Sequence, residues 1–86
     1  MTGAPRRVTA SEAIASIREY TSAGVRLLGL DGFTVVPQGF RADLDLGLDV
    51  SNRSLTADEA AAEAEAFVRA KARPDVLWEV WAESEA

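Results

Sequence analysis

Apolar and polar positions alternate most clearly in the segment Phe40–Val50, where even-numbered positions are apolar and most odd-numbered positions are charged. Alternation with a period of two is typical of a strand with one face on a core and the other in water. We therefore predict a strand here. Its inner face is expected to carry Phe40, Ala42, Leu44, Leu46, Leu48 and Val50, and its outer face Arg41, Asp43, Asp45, Gly47 and Asp49.

Two helices are predicted by their first residues and by the spacing of apolar positions. Thr9 followed by Glu12, and Thr56 followed by Glu59, each form the capping-box pattern in which side chain and backbone bond reciprocally. Gly24 is suited to the left-handed residue that ends the first helix. Pro74 stops the second helix, because proline cannot continue the hydrogen-bond ladder.

The segment between the first helix and Phe40 has two interpretations. Val25–Leu30 is either a strand or the end of the first helix, since Leu27 and Leu28 keep the helical phase. In the strand interpretation, Asp31-Gly32 suits a two-residue hairpin turn into a strand at 33–36. Pro37-Gln38-Gly39 then predicts a turn into the Phe40 strand.

The last predicted strand, Val76–Trp81, carries large apolar groups on both faces. Val76, Trp78 and Val80 share one face, and Leu77, Glu79 and Trp81 share the other. Such a strand is covered on both sides or meets a partner on one of them. We expect Trp78 in the core, and the sequence leaves open which face of this strand is buried.

These elements predict one small α+β domain over residues 1–86, in the order α-(β)-β-β-α-β. The sheet is expected to have three or four mostly antiparallel strands, with both helices packed on one face. Residues 1–7 are expected to form a flexible arm, and 83–86 a frayed acidic tail.

Composition narrows the chemistry that this chain can perform. The 86 residues contain no cysteine and no histidine, which removes disulfides, thiolate metal sites and the commonest general base. We therefore expect no cofactor, no resident metal and no enzymatic activity. No signal peptide or apolar membrane span is evident, which favours a soluble cytoplasmic protein.

Charge is unevenly distributed along the chain. The net charge is −5, with an excess of basic residues up to Arg41 and an excess of acidic residues from Ala42 onwards. An acidic chain is poorly suited to nucleic acid, because affinity for phosphates comes from lysine and arginine.

Asp43, Asp45 and Asp49 form the most conspicuous candidate site. Residues two apart on a strand are about 6.6 Å apart, which would also suit a shared cation or acid–base catalysis. The spacing lacks the glycine and glutamate of a calcium loop, and a solvated strand face needs polar side chains anyway. We interpret the aspartates, with Glu79 and Trp81 on the last strand, as a partner-binding surface.

The leading hypothesis from the sequence is a non-enzymatic protein of the inhibitor, immunity or regulatory type. It would hold a basic protein partner through the aspartate-striped sheet face. The alternative is a self-associating accessory protein that binds a small apolar molecule between sheet and helices or at a homodimer interface. That homodimer would form through the C-terminal strand. A carboxylate enzyme using these aspartates, with or without Mg²⁺, is the third hypothesis.

Overall fold

The computed structural model describes residues 6–83, which form two helices and one three-stranded sheet. The elements are α1 Ala10–Ser22, β1 Leu27–Val36, β2 Gly39–Asp49, α2 Ala57–Lys71 and β3 Val76–Ala82. The sheet order is β2-β1-β3 and both pairings are antiparallel. The predicted α+β class is therefore confirmed. Within residues 6–83 no helix combines the length and apolar character needed to cross a membrane.

Both helices begin where the capping boxes predict. Thr9 and Thr56 accept hydrogen bonds from the backbone N–H groups of Glu12 and Glu59, whose side chains bond back to the cap residues. The chain leaves α1 through Gly24, whose φ of 74° lies in the left-handed region that favours glycine. These ends are determined locally, since every partner lies within a few residues.

β1 is one continuous central strand, and it settles the two interpretations of the segment before Phe40. Val25–Leu30 does not extend the helix, and the hairpin turn suggested for Asp31-Gly32 is wrong. Asp31 instead pairs with Gly47 on one side and Glu79 on the other. A Cβ at Gly32 would lie 2.6 Å from the Leu46 Cβ, so the glycine is explained by close packing rather than by a turn. The turn after Pro37 is confirmed.

β2 contains a wide bulge that overturns its predicted single-faced alternation. Asp31 pairs with Gly47 and Phe33 with Ala42, so Gly32 faces the whole segment Asp43–Leu46. Extra residues in one strand change which face the following side chains occupy. Leu46 is accordingly buried, whereas Leu44 is 98% exposed and Phe40 is 48% exposed. The expectation that Phe40, Ala42 and Leu44 line the core is therefore wrong, since Ala42 is exposed as well.

The core lies between the helices and one face of the sheet. Trp78 is fully buried there, as predicted, and its ring meets that of Phe67 edge to face with 6.0 Å between centroids. The small residues of α2 let the helix approach the sheet. The buried core comprises Ala13, Ile17, Leu27, Leu30, Leu46, Val50, Ala60, Ala61, Ala64, Val68, Val76, Trp78 and Val80.

The N-terminal segment is tied to the sheet from Arg7 onwards. Val8 exchanges two backbone hydrogen bonds with Trp78 at 2.8 and 2.7 Å on the edge of β3. The Arg7 side chain lies on the sheet face. Residues 1–5 of the predicted arm and residues 84–86 of the predicted tail lie outside the described residues.

Candidate functional site

Both helices pack on one side of the sheet, so the opposite side carries the candidate site. Cross-strand partners share a face, which assigns the residues of this side from the strand register. We call it the open face. It carries Gly29, Asp31, Phe33 and Val35 of β1, Phe40, Ala42, Gly47 and Asp49 of β2, and Leu77, Glu79 and Trp81 of β3.

Two of the five predicted site residues, Asp49 and Trp81, lie on either side of Gly29. Both pair with this glycine, one from β2 and the other from β3. Trp81 is 41% exposed, and its indole Nε1–H donates to Oδ2 of Asp31 at 3.0 Å. The three side chains border one open cleft on the sheet, together with Leu28, Leu48 and Ser51.

Asp49 is held in place by the turn that follows β2. Its Oδ1 accepts from the backbone N–H of Ser51 at 2.9 Å and from the Ser51 hydroxyl at 2.6 Å. These hydrogen bonds, led by the one from the hydroxyl, lower the pKa of Asp49, because they favour the charged carboxylate. Asp49 is therefore an oriented negative charge at neutral pH.

Glu79, the third predicted residue, belongs to the open face but is already paired. Its Oε2 lies 3.2 Å from Nε of Arg7. Glu79 also lies directly opposite Asp31, and two acidic residues in such a position repel each other. That repulsion is offset by the ion pair of Arg7 with Glu79 and by the hydrogen bond from the Trp81 indole to Asp31.

Asp43 and Asp45 do not join the cleft beside Trp81. They lie in the bulge of β2, where Oδ1 of Asp43 accepts from the backbone N–H of Asp45 at 3.0 Å. This local bond stabilises a turn within the bulge. The aspartates therefore do not form the regular stripe that the sequence pattern predicts.

The other end of the open face holds an arginine that lies over two aromatic rings. The guanidinium carbon of Arg7 lies 4.3 Å from the Phe33 ring centroid and 4.5 Å from that of Phe40. The Glu79 carboxylate completes the site. We call this group of four residues the Arg7 clamp. It shows that this sheet surface holds a guanidinium group with aromatic faces and one carboxylate.

Sequence reasoning missed Asp31 and Arg7 for identifiable reasons. In the strand interpretation Asp31 falls in a turn because of the glycine that follows, although Asp31, Phe33 and Val35 also alternate as on one strand face. Treating Leu27–Val36 as one uninterrupted run would have placed Asp31 beside the aromatic residues. Arg7 carries no local signal, because its partners are distant in sequence.

The open face combines exposed apolar side chains with carboxylates. Among the described residues, no group of three or more Asp or Glu side chains is arranged to hold a metal ion. No protein-family model matches the chain, and a search of curated proteins finds no significant match.

Proposed function

We propose that this protein is a non-enzymatic binding protein that holds a basic protein partner against the acidic end of its open face. The observation that carries this proposal is the cleft in which the exposed Trp81 indole stands beside the Asp31 and Asp49 carboxylates. Tryptophan is enriched at the centres of protein interfaces, where it supplies a large apolar contact area with few rotatable bonds. The two carboxylates select for positive charge.

The positions of the helices also favour the open face as the binding surface, because both helices lie on the other side of the sheet. The core covers one side of the sheet, whereas the open face still presents Val35, Phe40 and Trp81, each between 41% and 48% exposed. Apolar groups at such positions gain free energy when a partner removes them from water. The acidic end and the apolar side chains lie on one surface, so one partner can contact both.

A comparison of two double variants tests this proposal. Asp31→Asn/Asp49→Asn alters the cleft, and Asp43→Asn/Asp45→Asn removes the same amount of charge from the bulge. Each tagged protein is incubated with lysate of the native host, and captured proteins are eluted with increasing salt and identified by mass. We expect the wild type and the bulge variant to retain a basic protein that the cleft variant loses, and salt to release it.

Thermal unfolding of each variant verifies that all are folded. Asparagine keeps an oxygen that can accept the hydrogen bonds from the Trp81 indole and from Ser51. Equal loss from the two double variants would mean that net charge alone attracts the partner and would contradict a cleft. Capture that is unchanged by Asp31→Asn/Asp49→Asn would overturn the proposal.

Self-association is a second candidate function, favoured by the apolar end of the open face. Val35 and Phe40 are paired across β1 and β2 and are each nearly half exposed. A second copy would cover them by packing sheet against sheet. Pairing through the β3 edge is less favourable, because Val8 occupies that edge at Trp78. Light scattering across a concentration series distinguishes a dimer from a monomer.

A further inference from the structure

The cleft beside Trp81 has a floor made of backbone. Gly29 lies between Asp49 and Trp81, and a Cβ there would lie 2.4 Å from the carbonyl oxygen of Leu48. No side chain at position 29 can therefore fill the space between Asp49 and Trp81. Neighbouring strands are about 4.8 Å apart, so the backbones of Asp49 and Trp81 lie about 10 Å apart across the glycine. This span is suited to one flat side chain inserted between them.

Each carboxylate of the cleft keeps a free acceptor oxygen. Asp31 uses Oδ2 for the Trp81 indole, and Asp49 uses Oδ1 for Ser51. Within residues 6–83, the remaining oxygens, Oδ1 of Asp31 and Oδ2 of Asp49, accept no hydrogen bond. The intramolecular hydrogen bonds restrain both side chains and leave one acceptor oxygen on each. This restraint lowers the entropy cost of binding a donor.

The Arg7 clamp, at the other end of the same face, provides a precedent within this molecule. There a guanidinium group lies over Phe33 and Phe40 and is paired with Glu79. The cleft has the same kinds of group, an aromatic face and carboxylates. Its ring is the larger indole of Trp81, and it has two carboxylates instead of one. Because Glu79 and Asp31 are cross-strand neighbours, the two sites adjoin each other.

We propose that the cleft receives the guanidinium group of an arginine side chain of the partner, stacked on Trp81 and bonded to Asp31 and Asp49. This inference rests on the proposed function and names the anchoring residue. Arginine fits better than lysine, because its planar fork can stack on a ring and donate to two acceptors at once, whereas an ammonium group is a compact, strongly hydrated charge.

The test is a titration of the full chain with three blocked peptides, acetyl-Gly-Arg-Gly-amide and its lysine and citrulline counterparts. Citrulline keeps the planar shape of arginine without its charge. The ¹H–¹⁵N spectrum contains two indole N–H signals: Trp81 lies in the cleft, and the fully buried Trp78 serves as an internal control. We expect the arginine peptide to shift the Trp81 signal in a saturable way and to leave Trp78 unmoved.

The expected order of affinity is arginine above lysine, with no saturable shift for citrulline. Asp49→Asn should weaken arginine binding about threefold, in line with an exposed ion pair, and should leave the indole hydrogen bond to Asp31 intact. Asp45→Asn, in the bulge, is the matched control and should leave the affinity unchanged.

The outcomes separate this inference from the proposed function. No saturable shift of Trp81, or equal shifts with arginine and citrulline, would overturn the arginine anchor. The proposed function would still stand if Asp31→Asn/Asp49→Asn abolished capture of a basic partner. An arginine shift that Asp49→Asn leaves unchanged would also contradict the assigned contacts.

Discussion

Gly29 combines a packing role with a role in the cleft. A Cβ at this position would collide with the Leu48 carbonyl group at 2.4 Å, so the backbones of β1 and β2 could not keep their spacing. The same absence of a side chain keeps the floor of the cleft open between Asp49 and Trp81. Glycine at this position is therefore explained by close packing in the tertiary structure and not by a turn.

We predict that Gly29→Ala lowers the free energy of unfolding by about 1–3 kcal/mol, because the backbone has to move to admit the methyl group. Gly47→Ala is the matched control on the same face. A Cβ at Gly47 would lie 3.6 Å from the nearest carbonyl oxygen, an ordinary contact, so its effect should stay within about 0.5 kcal/mol. Urea denaturation measures both, and equal stability of the two variants would contradict the close approach.

At the scale of an element, the bulge in β2 decides what the strand does. A regular strand would place Leu44 and Leu46 on one face, whereas the inserted residues turn one outwards and the other into the core. The bulge also interrupts an edge strand. Together with Arg41, Asp43 and Asp45 it makes this edge a poor template for pairing with another chain.

Leu46→Ala should cost about 2–5 kcal/mol of unfolding free energy, as expected for a large side chain removed from a core. Leu44→Ala should change stability by no more than about 0.5 kcal/mol, since the side chain is 98% exposed. Chemical denaturation of the two variants, two residues apart, checks the bulge directly. A loss for Leu44→Ala as large as that for Leu46→Ala would favour the regular alternation instead.

At the scale of the whole molecule, several carboxylates link the folded state to pH. The pKa values of Glu12 and Glu59 are lowered chiefly by hydrogen bonds from the cap residues' backbone N–H groups. The pKa of Glu65 on α2 is lowered first by its hydrogen bond from Arg18 on α1, and then by that from Arg69. Folding therefore favours the charged forms, and the unfolded chain binds protons more readily.

The expected consequence is a stability that is level well above the ordinary glutamate pKa of about 4.3 and declines as the pH falls through that value and then through the lowered folded-state pKa values. Thermal unfolding between pH 7 and pH 2.5 measures this decline. The double variant Glu12→Gln/Glu59→Gln keeps the capping geometry, because glutamine also serves in the capping box, but cannot titrate. It should therefore lose less stability in acid, and an equally steep decline would contradict the assignment.

Local signals of the sequence were sufficient for much of this fold. Thr9 and Thr56 mark both helix starts, Gly24 and Pro74 mark where the helices give way, and Pro37 marks the hairpin. The burial of Trp78 and the α+β class also follow from the pattern. The helix caps and the turn depend on neighbours a few residues apart, so the chain specifies them before any packing takes place.

The tertiary structure alone decided the features on which the candidate site depends. The pairing of β1 with strands on both sides turned Asp31 from a turn residue into the acceptor of the Trp81 indole. The bulge in β2 separated Asp43 and Asp45 from Asp49. The packing of Arg7 on Phe33 placed its guanidinium group beside Glu79, which it pairs with. The physical reason is that register and cross-strand contact join residues distant in sequence, and a period of two gives no information about where a strand is interrupted.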